Sequence, residues 1–170
     1  MKFIDQLKEK AKQNKKTIVL PETSDMRTIE AAGKVLAEGI ANIILVGDKE
    51  DIMSRAGDID LSGASFVDPK NYEKFDEYVD AFVEMRRKKG MTEARAKELL
   101  LTNPLYFGCM MVKQDDADGM VAGAINASAD VLRAALQTLK TAPGTRIVSA
   151  FFLVVVPDCQ YGANGTFVFA

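Results

Sequence analysis

The sequence predicts an α/β fold: a parallel sheet flanked by helices, followed by the first strands of a second domain. Three observations carry the prediction. Short apolar runs, TIVLPE (17–22), NIILVGD (42–48) and ASFVDP (64–69), alternate with segments of helical periodicity. The spacing between runs suits crossover helices rather than tight hairpins, so the strands lie parallel. A fourth apolar run, GMVAG (119–123), again precedes a helical segment, DVLRAALQTLK (130–140).

Each element has a local reason. Ile4, Leu7, Lys8 and Ala11 recur at helical spacing and predict a short leading helix. In SDMRTIEAAGKVLAEG (24–39), Ser24 or Asp25 can cap the N-terminus and Gly39 ends the helix. Ile29, Ala32, Val35 and Leu36 form its apolar face. KEDIMSRAG (49–57) is a second helix after a strand. A helix-rich block then runs from Tyr72 to Gln114. It holds YVDAFVEMRRKKG, then TEARAKELLL with Thr92 as N-cap, then NPLYFGCMMVKQ with Asn103 as N-cap and Pro104 at the first helical position. After TAPGT (141–145) the composition changes: RIVSAFFLVVVPD is almost wholly apolar, and a turn, CQYGANG, leads to TFVFA. These strands read as the opening hairpin of a further domain. The domain boundaries expected are 1–144 for an N-terminal α/β domain and 145–170 for the start of the second. A chain that stops inside an apolar strand reads as a piece of a longer protein.

The totals exclude several classes. A chain of 170 residues, 48% hydrophobic and 27% charged, is expected to be a soluble globular protein. No apolar run is long enough to span a bilayer, and the charged N-terminal helix is no signal peptide, so a cytoplasmic location without membrane partners is expected. A net charge of −2 argues against binding nucleic acid by bulk charge. With 0 histidines and 2 cysteines in no paired spacing, neither a histidine triad nor a zinc site is expected. The chemistry must then rest on Arg, Lys, Asp, Ser, backbone N–H groups or a cysteine.

In open parallel sheets ligands bind beyond the carboxyl ends of the strands. Two junctions have that form, PETSDMRT (21–28) and AGAINASAD (122–130). Each enters a helix and places an arginine, Arg27 or Arg133, about one turn inside it. Helix N-termini offer free N–H groups to an anion, small residues such as Gly123, Ala124, Ala127 and Ser128 let the backbone approach it, and an arginine fork fits phosphate. The competing reading has the small residues packing helix on sheet, Asp130 or Ser128 capping, and Arg133 facing water. The run MRRKKG (85–90) has the same two readings: charge opposite a helix dipole, or a basic lip using Arg86 or Arg87. Cys109, in FGCMMV, reads as an inert core thiol, and Cys159, in a turn, as the more accessible one. Asp25, Asp118 and Asp158 stand where structural caps stand.

Taken together, DGMVAGAINASADVLRAAL (118–136), TIVLPETSDMRTIEAA and PDCQYGANGTFVFA resemble the phosphate acetyltransferase (phosphotransacetylase) family along the whole chain. The resemblance implies two α/β domains around a cleft, similar to isocitrate and isopropylmalate dehydrogenases, in a homodimer. It implies interconversion of acetyl-CoA and phosphate with acetyl phosphate and CoA, without metal or organic cofactor. It places CoA and phosphate at Arg27, Arg86 and Arg133, with Ser128 beside them, Arg27 toward the nucleotide end, and Cys159 near the cleft as a neighbour. The implied mechanism is direct attack of the CoA thiolate on the acetyl carbonyl. The Asp, Arg and Ser that would serve it belong to the family's C-terminal portion, so these 170 residues alone are expected to be inactive. Two alternatives remain at this stage: a phosphate butyryltransferase-like enzyme, and a non-catalytic binding or assembly module that uses its apolar strands.

Overall fold

The structure, a computed structural model, describes residues 3–170. Its elements form two compact units, one spanning 15–140 and the other joining residues 3–14 with 141–170.

In the larger unit, β1 (Lys16–Leu20), β2 (Ala41–Val46), β3 (Ser65–Val67) and β4 (Gly119–Met120) form one sheet in the order β3-β2-β1-β4. Every pairing is parallel; Ile18 faces Ile43 on one side and Gly119 on the other. The chain moves outward from β1 to β3 and then returns to the opposite side of β1. The strand order therefore reverses between β1 and β4, the position where such sheets open a crevice at their carboxyl ends.

Both faces of the sheet are covered, and the side-chain alternation shows it. Val19, Ile44 and Val46 belong to one core, while Leu20, Ile43 and Leu45 belong to the other. The second core is closed by α2 (Met26–Glu38) and α3 (Lys49–Ala56), which supply Ile29, Ala32, Ile52 and Ala56. The first is closed by α4 (Phe75–Arg86), α5 (Glu93–Thr102), α6 (Pro104–Lys113) and α7 (Ser128–Thr138), with Tyr78, Phe82, Leu100 and Phe107 fully buried. Helix α6 lies close on the sheet because Gly108 has no side chain: a Cβ there would come within 2.8 Å of Met120 Sδ and 3.2 Å of Val19 Cγ1. Cys109, next to it, is wholly buried, and burial pushes its thiol pKa up against a weaker opposing hydrogen bond from Thr138. It is a core residue, as its surroundings in sequence imply.

The caps of α2, α5 and α6 are those the sequence predicts. Asp25 caps α2 by accepting from Arg27 N–H, and Gly39 ends that helix in the left-handed conformation at φ 66°. Thr92 and Asn103 cap α5 and α6. One half-buried polar cluster ties the start of α4 to the segment after α6: the Asp116 carboxylate accepts from Tyr72 Oη at 3.2 Å, from Tyr78 Oη and from Lys74 Nζ. Asp118 accepts from Thr17 N–H at 2.8 Å and Lys16 Nζ at 2.9 Å, pinning the start of β4 to β1.

Two elements differ from expectation. Strand β4 covers two residues rather than five: after a last ladder bond from Val121 N–H to Val19 O at 3.0 Å, the loop amides from Gly123 onward turn to Glu22. Helix α7 starts at Ser128 rather than Asp130.

The smaller unit contains α1 (Phe3–Gln13) and an antiparallel hairpin of β5 (Phe152–Val155) and β6 (Thr166–Phe169), with Phe152 opposite Phe169. The apolar run before it is only partly strand: Ile147, Val148 and Phe151 are exposed outside the ladder. No helix among the described residues is long and apolar enough to cross a membrane.

Candidate functional site

The two junctions singled out in the sequence meet at the reversal of strand order. The segment after β1 and the segment after β4 touch through an interaction that sequence reasoning missed. Glu22 is only 2% exposed, and its carboxylate accepts from four consecutive backbone N–H groups: Gly123 at 2.6 Å, Ala124 at 2.7 Å, Ile125 at 3.2 Å and Asn126 at 2.9 Å. Asn126 Nδ2 adds a fifth bond at 2.7 Å. Burial alone would raise the carboxyl pKa, but the Asn126 side chain and the loop amides outweigh it and lower the value to about 2. The small residues of 122–127 thus wrap an internal anion, and the loop amides are already engaged. The sequence offers little signal for it: an acid two residues beyond a buried strand, with all its donors in a distant loop.

Arg27 binds the same loop from its other side. It donates through Nε and Nη2 to Asp25 and through Nη2 to the carbonyl of Ala124 at 2.6 Å. Asp25 holds the guanidinium proton more firmly, and Arg27 in turn depresses the Asp25 carboxyl. The Arg27 side chain is nevertheless 71% exposed and lines a crevice of about 210 Å³ with Glu22, Thr28, Val121 and Ala124. Thr23 secures the neighbouring turn by donating to Val46 O at 2.6 Å.

Arg86 and Arg133 come together elsewhere, in a cavity of about 400 Å³ between the end of α4 and helices α5, α6 and α7. Lys89, Arg95, Tyr106 and Gln137 line it too, and Glu98 is the acidic side chain there. Arg133 is paired with Asp130 one turn away, and Tyr106 Oη donates to Gln137 Oε1 at 3.1 Å. Burial raises the Tyr106 pKa, with Arg133 and Arg86 opposing it. Arg86 Nε is buried and has no hydrogen-bond partner in the protein, an uncommon state for a charged donor. The rest of MRRKKG splits between the two readings: Arg87 pairs with Glu84 at 2.7 Å, whereas Lys89 joins Arg86 at the cavity.

Neither Ser128 nor Asp130 caps α7. The N-cap is Ala127, without a side-chain hydrogen bond, and Ser128 is the exposed first residue of the helix. The three arginines therefore do not form one cluster. Arg27 stands at the strand reversal, Arg86 and Arg133 share a helical cavity, and the loop gripped by Arg27 leads directly into the helix that carries Arg133. Cys159 belongs to the smaller unit, half-buried in the segment between β5 and β6. A further crevice of about 520 Å³ runs along the ends of β1 to β3, but its carboxylates, Asp48 and Asp68, are engaged as caps.

Comparison with known proteins places this geometry in context. A family model described as phosphate acetyl/butaryl transferase matches residues 2–170. The phosphate acetyltransferase of Acetivibrio thermocellus is 54% identical over 170 residues, which is 100% of this chain and 51% of that protein. The phosphate acetyltransferase of Escherichia coli is 39% identical over 162 residues, 94% of this chain and 22% of its own length. Among solved structures, a phosphotransacetylase from Streptococcus pyogenes superposes with a TM-score of 0.86 at 34% identity, covering 99% of this chain and 51% of that one. The EutD phosphotransacetylase from Staphylococcus aureus gives 0.83 at 35% identity, with coverages of 97% and 48%. The chain thus spans about half the length of the first of these relatives. With its sheet order, its paired loops and a match over residues 2–170, the chain belongs to the phosphate acetyl/butaryl transferase family.

Proposed function

We propose that this chain is the CoA-recognising half of a phosphate acetyltransferase, an acyltransferase that moves acetyl between CoA and inorganic phosphate. One observation carries the reading: Arg86 and Arg133, far apart in sequence, line one cavity in which Arg86 keeps a buried donor without an acceptor. Lys89 and Arg95 reinforce the positive character there, as a phosphate-bearing ligand requires. Arg27 is assigned to the nucleotide end of CoA, and Ser128 to the phosphate-facing start of α7. Cys159 is assigned to the edge of the cleft as a neighbour, with no covalent role.

The transfer itself is assigned to the two-domain protein, in which thiolate attack on acetyl phosphate would be assisted by a base and an oxyanion-holding donor. The domain boundary is placed at 144/145, with 145–170 opening the second domain. A homodimer, a cytoplasmic location and independence from metal or organic cofactors belong to the same proposal. Acetyl is favoured over butyryl by the names of the similar curated proteins.

Calorimetric titration of the 170-residue chain with CoA, and separately with dephospho-CoA, tests the reading. Binding that weakens without the 3′-phosphate is the expected result. A folded chain that binds neither ligand, or both equally, would refute the assignment of the nucleotide end. The same chain is expected to convert no acetyl phosphate in the presence of CoA; turnover would place the catalytic groups within these residues.

A further inference from the structure

We propose that Glu22 is a positioning residue for CoA recognition, acting on Arg27 through the backbone of Ala124. The inference rests on the CoA assignment above and adds to it a residue that contacts no ligand. Among the described residues, Glu22 is the charged residue that is buried, and no cation pairs with it directly. A carboxylate in that state is costly, and a neutral cap could close the loop with less desolvation. Its geometry indicates what the charge achieves. Four successive amides of residues 123–126 would otherwise form an anion-binding nest; Glu22 fills that nest, so an incoming phosphate must be met by arginine rather than by the loop. Glu22 and Arg27 also hold opposite faces of one residue: the carboxylate accepts from Ala124 N–H at 2.7 Å while Arg27 donates to Ala124 O at 2.6 Å. The Arg27 fork is thereby held between Asp25 and a carbonyl whose position Glu22 sets. Loosening the loop removes one of the two acceptors that orient the guanidinium.

The readout must separate this role from simple structural support. If Glu22 only supports the fold, its loss lowers stability and leaves the preference between CoA and dephospho-CoA untouched in whatever fraction remains folded. If it positions Arg27, that preference collapses.

The test titrates CoA and dephospho-CoA into the wild-type chain, Glu22→Gln and Glu22→Asp, each shown by circular dichroism to be folded at the titration temperature. Glu22→Asp keeps the charge but shortens its reach, and serves if Glu22→Gln does not fold. The expected result is a loss of CoA affinity of roughly 10-fold in the variants, with a much smaller loss for dephospho-CoA. Unchanged affinities, or equal losses for both ligands, would overturn the proposal while leaving the CoA assignment standing. A folded wild-type chain that binds no CoA would instead overturn the assignment, and this inference with it.

Discussion

Protonating Glu22 should remove a large part of the stability of the larger unit, and the amount can be worked out. Its carboxyl stands at about 2 in the folded chain against an ordinary value of 4.5. A difference of that size corresponds to about 3 kcal/mol near neutral pH, since each unit is worth about 1.4 kcal/mol. The sign follows from a depressed folded-state value. The contribution is fully present above the unfolded-state value of 4.5 and is lost as pH falls toward and through 2. It should stand at about 2 kcal/mol near pH ~3.5 and below about half a kcal/mol near pH ~2. Glu22→Gln cannot ionise, so the wild-type-minus-variant difference should follow this curve. Other carboxylates with depressed values, Asp116 and Asp118 among them, titrate in both proteins and cancel. Urea denaturation at a series of pH values, followed by circular dichroism, measures the difference directly. A pH-independent difference, or none at neutral pH, would refute the claim that the loop amides hold an ionised carboxylate.

Arg133→Ala should weaken CoA binding by roughly 10- to 150-fold, the range expected for a lost charge-assisted hydrogen bond; an unchanged titration would return Arg133 to the role of an exposed partner of Asp130. Gly108→Val should destabilise the chain by about 1–3 kcal/mol in thermal or urea unfolding, because a side chain there meets Met120 and Val19 at once; a neutral result would mean that α6 can move off the sheet. A thiol reagent should modify Cys159 well before Cys109, since the latter is fully buried with a raised thiol pKa; equal rates by mass spectrometry would contradict the core packing.

Local order was legible because its causes are local. Asp25 before an amphipathic run and Gly39 after it specify α2 within a few residues, and alternation in NIILV places Ile43 and Ile44 on opposite faces. The family resemblance groups Arg27, Arg86 and Arg133 as one set; that Arg86 and Arg133 share a cavity without Arg27 comes from the packing of α4, α6 and α7, which no spacing records. Glu22 was not legible for the same physical reason. Its five donors lie more than a hundred residues away, and no periodicity records a contact of that range. In sequence the small residues around it suit either a floor for a ligand or the packing of helix on sheet, because glycine and alanine look alike whether the anion they approach is bound or built in. The start of α7 was misplaced because Asp130 looks like a cap, yet its carboxylate is taken by Arg133.

The strand order has a kinetic meaning. Strands β1, β2 and β3 meet through short crossovers, so that their pairing closes small loops. Strand β4 reaches β1 only across a separation of 101 residues, as the Thr17–Asp118 bond measures it. Closing so long a loop slows the encounter, and the contacts made there are those that join Glu22, Arg27 and the entry to α7. Competence to bind and completion of folding would then coincide: a nascent chain could assemble most of its sheet while the surface assigned to CoA is still unformed, and the last step of folding would be the one that makes the protein useful.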